Sequence, residues 1–212
     1  MVTSFDKYKK DVLGKKDKSS IGDTDEKIKG LCEKINSMKD YYTTSSCSGR
    51  ITLVKDNTKK LPGLFLFRTH EKTSFEEIKQ EMVSLSFSDI ENLKDSQIFD
   101  SNESSDDKNS KFHKDIIYFK QEPCLLVVSC RDSKSQKKLF EIARNNGWKK
   151  SGIISTDKRF IVELMSTENI SLPIINNGKI LVDDDYLKFL IKEANRKLEL
   201  SWEKIEKLKG LI

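Results

Sequence analysis

Long apolar runs are missing from this chain of 212 residues. No stretch of 18 apolar residues occurs, so a helix that crosses a membrane is not expected. Residues 1–7 mix polar and charged side chains and contain no apolar core of a signal peptide. We therefore expect a protein of the cytoplasm rather than a membrane-bound or secreted one.

Cysteine and histidine are scarce, with four of the first and two of the second. No two cysteines have Cys-x-x-Cys spacing, and only His70 and His113 could complete a metal site with them. The sequence therefore predicts no metal site, and without secretion it predicts no disulfide. Cys32 lies on an apolar helical stripe and is predicted to be a core thiol.

The common nucleotide-binding fingerprints are absent too. No Gly-x-Gly-x-x-Gly follows a predicted strand, and no Gly-x-x-x-x-Gly-Lys-Ser/Thr phosphate loop occurs. What the chain has in excess is charge, at 34% of residues against 36% hydrophobic ones, with a net charge of +5. This composition indicates a globular protein with a mildly basic surface, which is compatible with an RNA partner.

Apolar periodicity divides the chain into helices and strands. Helices are predicted over about 5–13, 23–38 with capping-box spacing between Asp23 and Glu26, from Ser74, over 134–146 with Asn146–Gly147 as C-cap, and after Asp183. Strands are predicted near 48–56, 63–70, 115–120, 124–130, 150–155, 160–165 and 171–176. Turns are predicted at 62–63 and at 156–158.

The order strand-strand-helix occurs twice, around 48–84 and 115–146. We predict an α+β fold of two related mixed sheets, flanked by N-terminal helices and a long C-terminal helix. Residues 1–212 are interpreted as one compact domain. Residues 86–112 are rich in Asp and Ser without an apolar period, which predicts a flexible insertion.

The most informative segment is 43–51, with the sequence Thr-Thr-Ser-Ser-Cys-Ser-Gly-Arg-Ile. Its small polar side chains bury little apolar surface but leave the backbone open, and Gly49 permits conformations closed to other residues. Hydroxyl groups beside Arg50 can bind an anion or a polar ligand. Two alternatives remain at this point: a serine-rich turn that enters a strand, and a nucleophilic cysteine at Cys47 beside Arg50.

This segment, preceded by Asn36 and Tyr42, resembles the signature of the wybutosine-synthesis tRNA methyltransferase family (tRNA wybutosine-synthesizing protein 3 family). Further blocks resemble that family in the same order: 65–70 ending in His70, 119–123, 128–131, Ala143, 147–148, 151–153, Pro173, 178–179, Tyr186 and 194–195. Together these blocks cover nearly the whole chain except about residues 86–112.

The resemblance implies an S-adenosylmethionine-dependent enzyme that methylates a ring nitrogen of the tricyclic base next to the anticodon of phenylalanine tRNA. It implies a pocket lined by the signature residues Thr44, Ser45, Ser46, Cys47, Ser48 and Gly49. Arg50 would hold a carboxylate of the cofactor or of the substrate, and His70 would be the general base or a contact to the base edge. Ser151 and Gly152 would form a second wall.

The chain departs from the family pattern at two positions. Val127 stands where relatives often have histidine, and Met165 stands where they have arginine. A non-catalytic protein that binds tRNA or holds the substrate is therefore the alternative function. Alternative structural roles also stay open: His70 bonded to a carbonyl at a strand end, and Ser151–Gly152 as an ordinary entry to a strand.

Three further groups of residues have a functional and a structural interpretation. Cys130 and Arg131 could line the cleft or belong to a packed strand. Trp148 could stack on a base or anchor the core. The charged face of the C-terminal helix, with Arg196, Lys197 and Lys204, could follow an RNA backbone or simply be solvated.

Overall fold

The computed structural model describes residues 4–14, 25–55, 64–96 and 116–212. Its helices are α1 (Ser4–Leu13), α2 (Glu26–Ser37), α3 (Phe75–Ser96), α4 (Ser133–Asn145) and α5 (Asp184–Leu211). Its strands are β1 (Tyr41–Cys47), β2 (Arg50–Lys55), β3 (Phe65–Thr69), β4 (Ile116–Glu122), β5 (Leu125–Cys130), β6 (Gly152–Ser155), β7 (Phe160–Met165), β8 (Ile170–Asn176) and β9 (Lys179–Ile180). The predicted α+β class, with N-terminal helices and a long C-terminal helix, is confirmed.

The strands form two sheets, with the orders β1-β5-β7-β6 (sheet A) and β3-β2-β4-β8-β9 (sheet B). All pairs in sheet A are antiparallel, as are β2–β3, β4–β8 and β8–β9 in sheet B. The predicted mixed character of the sheets is not found in these pairs. Short turns join β6 to β7 and β8 to β9. Asn177 and Gly178, both with positive φ, make the second of these turns.

The predicted strand-strand-helix repeat is present in the order of the elements, but its two copies have different strand pairing. β2 and β3 pair with each other in sheet B, whereas β4 belongs to sheet B and β5 to sheet A. Only Pro123 and Cys124 separate β4 from β5. Proline lacks an amide hydrogen for a ladder, and the chain leaves one sheet for the other at this point instead of folding back as a hairpin.

Two compact units divide the chain, and neither is a continuous stretch of it. Unit 1 contains Met1–Arg50, Pro123–Glu168 and Lys197–Ile212, and unit 2 contains Ile51–Glu122 and Asn169–Arg196. Sheet A belongs to unit 1, and sheet B belongs to unit 2 apart from Arg50, the first residue of β2. Whether the two units behave as the single domain of the sequence analysis stays a prediction.

The core of unit 1 lies on one face of sheet A, against α2, α4 and the last turns of α5. Its largest member is Trp148, which is fully buried, so the core interpretation of this tryptophan is confirmed. Cys32 is a core thiol, as predicted. Two further thiols, Cys124 and Cys130, belong to this core. The other members are aliphatic or aromatic residues, among them Ile28, Leu31, Ile35, Leu126, Val128, Leu139, Val162, Leu164, Ile205 and Leu208.

Two predicted boundaries differ from the structure. The N-cap of α2 is Asp25, and Asp23 of the predicted capping box lies outside the described residues. The predicted insertion begins inside α3, which continues to Ser96, while residues 97–112 lie outside the described residues. The acidic, serine-rich composition concealed the fact that residues 86–96 contain no glycine or proline to end the helix.

Among the residues that the structure describes, no helix is long and apolar enough to cross a membrane. The turn predicted at residues 62–63 lies outside the described residues.

Two other local predictions are confirmed. Asn146 caps α4 with Gly147 at a φ of 102°, and a short turn joins β6 to β7 at residues 156–159.

Candidate functional site

The signature segment forms β1 and the link from sheet A to sheet B. β1 ends at Cys47, Ser48 and Gly49 connect the strands, and β2 begins at Arg50. Gly49 has a φ of 101°, a conformation that side chains with a Cβ rarely adopt. The glycine is therefore required by the backbone path between the sheets.

A β-bulge interrupts β1 at Thr44. The pairing of β1 with β5 shifts between Thr43 and Ser45, and the Thr44 hydroxyl donates to the Val127 carbonyl at 3.3 Å. A bulge changes which residues of a strand face each side of the sheet. Beyond it, Ser45 and Cys47 lie on one face of sheet A, and Ser46 lies on the face that carries the core.

Antiparallel pairing places four residues in one row across sheet A. Ser45 pairs with Val127, Val127 with Glu163, and Glu163 with Gly152. Directly paired residues share a face, so this row lies on the face opposite the core cluster, which we call the second face. Neighbouring strands are about 4.8 Å apart, so Ser45 and Gly152 are about 14 Å apart at the two ends of the row.

The residues that depart from the family pattern lie on this same face. Val127 is the second member of the row, and Met165 belongs to the adjacent row, Cys47–Leu125–Met165. The register thus brings Val127 next to Ser45 and places Met165 on the same face as Cys47, with Leu125 between them. Their positions in the sequence did not reveal this arrangement.

Glu163 is the residue that the sequence analysis missed. It is half-buried in the row between Val127 and Gly152. The signal was a single carboxylate within the otherwise apolar β7 sequence Phe-Ile-Val-Glu-Leu-Met. An acidic residue inside a strand is uncommon, and here it supplies a negative charge to the second face.

Ser151 and Gly152 have different surroundings. The Ser151 hydroxyl donates to the Trp148 carbonyl at 2.6 Å and accepts from the Met165 N–H at 3.1 Å. These bonds hold the end of β7 against the loop that follows α4. A Cβ added at Gly152 would meet nothing within 4 Å, so packing does not require glycine there.

Two hydrogen-bonded pairs attach the signature to α2. The Asn36 side chain accepts from the Thr43 N–H at 2.8 Å and its amide donates to the Thr43 hydroxyl at 3.0 Å. The carboxylate of Asp25 accepts from both the N–H and the hydroxyl of Ser48. The Asp25 side chain therefore stabilises the link after β1 and makes no capping bond to α2.

Ser48 and Ser45 should respond differently to substitution. Ser48 is fully buried and bonded to Asp25, whereas Ser45 is exposed. We expect Ser48→Ala to lower the free energy of unfolding by about 1.5–3 kcal/mol, because a hydrogen bond to a charged group is lost. Ser45→Ala, the matched control, should unfold like the wild type in urea. Equal destabilisation by the two substitutions would contradict the assignment of Ser48 to the framework.

Arg50 and His70 lie next to the two members of one residue pair between β2 and β3 in sheet B. Ile51, which follows Arg50, pairs with Thr69, which precedes His70. Because each is covalently next to one member of this pair, both belong to the same end of the β2–β3 pair. Arg50 and His70 are both half-buried.

The other cysteines and Arg131 have structural surroundings. Burial raises the pKa of the Cys124 and Cys130 thiols to about 12, so neither is a thiolate at neutral pH. Cys130 packs in the core, which confirms its structural interpretation. Arg131 donates to Asp40 at 2.8 Å and to Asp6 at 2.6 Å, and these bonds attach α1 to the sheet.

Comparison with known proteins agrees with this architecture. The fold is similar to that of the PH1069 protein from Pyrococcus horikoshii, with a TM-score of 0.74, 27% identity, and coverage of 97% of this chain and 92% of that one. In sequence, the chain is 34% identical over 186 residues to a Methanocaldococcus jannaschii protein, covering 86% of this chain and 82% of that protein. That relative is named tRNA(Phe) 7-((3-amino-3-carboxypropyl)-4-demethylwyosine(37)-N(4))-methyltransferase.

A vertebrate relative supports the same class. The tRNA wybutosine-synthesizing protein 3 homolog of Danio rerio is 31% identical over 210 residues, covering 96% of this chain and 72% of that protein. The fold and these relatives define the class as tRNA methyltransferases. Residues 6–212 match the family described as Methyltransferase TYW3, and the chain belongs to that family. The resemblance derived from the signature blocks is thereby confirmed.

Proposed function

We propose that this chain transfers a methyl group from S-adenosylmethionine to N4 of 7-(3-amino-3-carboxypropyl)-4-demethylwyosine at position 37 of tRNA(Phe), in the cytoplasm. The observation that carries the proposal is family membership over residues 6–212, with archaeal relatives above 30% identity whose names state this reaction. The direct test is methylation of that nucleoside in tRNA by the purified protein.

We propose that the second face of sheet A is the surface that receives the cofactor. Its row ends in the exposed Ser45 on one side and in the open space at Gly152 on the other. We propose that Ser45, Cys47, Gly152 and the bulged backbone at Thr44 line the pocket. S-adenosylmethionine, when bound, supplies a methyl group already activated on a sulfonium.

Ser46, Ser48, Gly49 and Ser151 support the pocket in a different way. Ser48 and Ser151 use their hydroxyl groups in bonds that fix the link after β1 and the entry to β6. We therefore propose that these two serines act by holding the backbone of the pocket. Gly49 sets the path of the chain into Arg50, and Ser46 lies on the core side of β1.

Methyl transfer also requires groups that bind the charged ends of the cofactor and substrate and a base that accepts one proton. Both the cofactor and the aminocarboxypropyl group of the substrate carry a carboxylate, and we propose that Arg50 binds one of them through its planar guanidinium. Each also carries an ammonium group, for which Glu163 offers a negative charge. His70 is the proposed acceptor of the proton that the substrate nitrogen loses.

The alternative is a protein that binds tRNA without methyl transfer. The observation that favours it is the apolar character of Val127, which pairs with Ser45, and of Met165 in the same row as Cys47. Titration with S-adenosylmethionine separates the two functions by calorimetry. A methyltransferase binds the cofactor with or without tRNA, whereas a protein that only binds RNA gives no cofactor heat at any concentration.

Gly152→Ala tests the proposed pocket. Because the added methyl meets nothing within 4 Å, we expect the melting temperature to stay at or slightly above that of the wild type. Cofactor affinity should fall by about tenfold, since one extra methyl in a filled site costs about 1–3 kcal/mol. Gly210→Ala, which also has open space, is the matched control and should leave cofactor affinity unchanged. Unchanged cofactor affinity in Gly152→Ala would remove Gly152 from the pocket.

A further inference from the structure

The positive charge of the chain is concentrated in one short segment. Residues 134–150, which we call the basic segment, contain six basic residues and one acidic residue, a net charge of +5. The whole chain has 39 basic and 34 acidic residues, so the other 195 residues hold 33 of each and are neutral together. The basic residues of the segment are Lys134, Lys137, Lys138, Arg144, Lys149 and Lys150.

All six side chains are exposed. α4 buries Gln136, Leu139 and Ala143 against the core of unit 1, and its lysines lie on the opposite side of the helix. Lys134, Lys137, Lys138, Glu141 and Asn145 line a shallow surface groove of about 620 Å³. Three of the six basic side chains therefore share one exposed face of α4, with the amide group of Asn145 beside them.

Helix stability does not explain this arrangement. The N-cap carboxylate of Asp132, just before the segment, accepts from the Ser135 N–H at 2.8 Å. The first turn of α4 itself contains no acidic residue and includes Lys134, although the helix dipole favours negative charge there. The one acidic residue of the segment, Glu141, lies 3.9 Å from Lys137, a weak exposed pair. Such a surface is unfavourable for the free protein and is best explained by an anionic partner.

α5 provides the contrast. It holds seven basic and six acidic residues. Arg196 makes two hydrogen bonds of 2.7 Å to Glu193, and Lys204 is bonded to Glu168. The basic residues of α5 that could follow an RNA backbone are thus largely neutralised by nearby carboxylates. The excess of positive charge lies on α4 instead.

The basic segment also reaches the edge of the proposed pocket. α4 lies on the core side of sheet A, and the segment continues past Trp148 to Lys150, which directly precedes Ser151 and Gly152. The Lys150 N–H donates to the Met165 carbonyl at 3.1 Å, which fixes this end beside the last residue of β7. A partner bound along the segment is therefore long, and one end of it approaches β6.

We propose that the basic segment binds the phosphate backbone of tRNA in the stem next to the modified loop. This inference rests on the proposed function, which makes tRNA the substrate. Lysine and arginine contacts to phosphates are independent of sequence, and they position a nucleic acid while other groups recognise the base. The segment thus supplies affinity, and the pocket supplies specificity.

The test is a charge-reversal triple variant, Lys134→Glu/Lys138→Glu/Lys149→Glu. Its matched control, Lys7→Glu/Lys192→Glu/Lys207→Glu, changes the net charge equally at three other exposed lysines. Binding of unmodified tRNA(Phe) transcript is measured by fluorescence anisotropy over a salt series without cofactor. We expect the segment variant to weaken binding at least tenfold and to reduce the salt slope by about 3, one unit for each lost phosphate contact.

The control variant should keep the wild-type salt slope, and both variants should keep cofactor affinity and melting temperature. Equal weakening by both variants would show that net charge alone acts and would overturn the proposal. Binding of the segment to phosphatidylserine vesicles with unchanged tRNA affinity would also overturn it. If the wild type binds tRNA through the segment yet transfers no methyl group, the proposed function fails and this inference stands.

Discussion

Arg50→Ala is expected to fold normally and to lose about 100-fold in affinity for the carboxylate-bearing ligand. A bidentate hydrogen bond to a charged group contributes about 2–3 kcal/mol, which corresponds to roughly two powers of ten in binding. Arg50→Lys should recover only part of this loss, because an ammonium group cannot reproduce the planar fork of the guanidinium. Calorimetry with S-adenosylmethionine and the KM for tRNA show which of the two carboxylates Arg50 holds.

Arg68 on the neighbouring strand β3 provides the control. It pairs in register with Thr52 and its side chain is exposed. Arg68→Ala should change neither cofactor affinity nor KM by more than about twofold, as expected for an exposed side chain. If instead Arg50→Ala unfolds while its ligand affinity persists, Arg50 is a structural residue and the site lies elsewhere.

His70→Ala is expected to reduce the rate of methyl transfer by about 10²–10⁴ while cofactor affinity stays unchanged, which is the usual effect of removing a general base. The pH profile gives the sharper readout. A protonated imidazole cannot accept a proton, so the wild-type rate should fall as the pH falls. In His70→Ala this decline should disappear, and only a slow rate independent of pH in that range should remain.

His70→Gln separates the chemical role from the structural one. Glutamine keeps a neutral side chain that can bond to a carbonyl but cannot take the proton of the substrate. We therefore expect His70→Gln to be as slow as His70→Ala. Recovery of the rate by glutamine would make His70 a strand-end residue with a structural bond. Loss of the pH dependence in Glu163→Gln instead would assign the proton to Glu163.

The sequence was sufficient for elements whose apolar period is regular. Ile28, Leu31 and Ile35 predicted α2, and Leu187, Leu190, Ile191 and Ala194 predicted the start of α5, because one helical face carries the burial. The fold class and the family followed from these elements and from the order of the signature blocks. The failures concern long-range pairing and helix length, which local patterns do not encode.

The row on the second face illustrates the difference. Ser45, Val127, Glu163 and Gly152 are far apart in the chain and meet only because three strand pairs are in a particular register. The bulge at Thr44 fixes that register, and nothing in the composition of the segment indicated a bulge. Long-range pairing also separates β4 and β5, which are adjacent in sequence although they belong to different sheets.

The central claim is that this chain methylates the demethylwyosine intermediate on tRNA(Phe). The most direct measurement uses the purified wild-type protein, saturating S-adenosylmethionine and tRNA from a strain blocked at this step. Nucleosides from the digested tRNA are then analysed by mass spectrometry. We predict that the intermediate gains the mass of one methyl group. Binding of that tRNA without any gain in mass would contradict the claim and identify a protein that holds the substrate without modifying it.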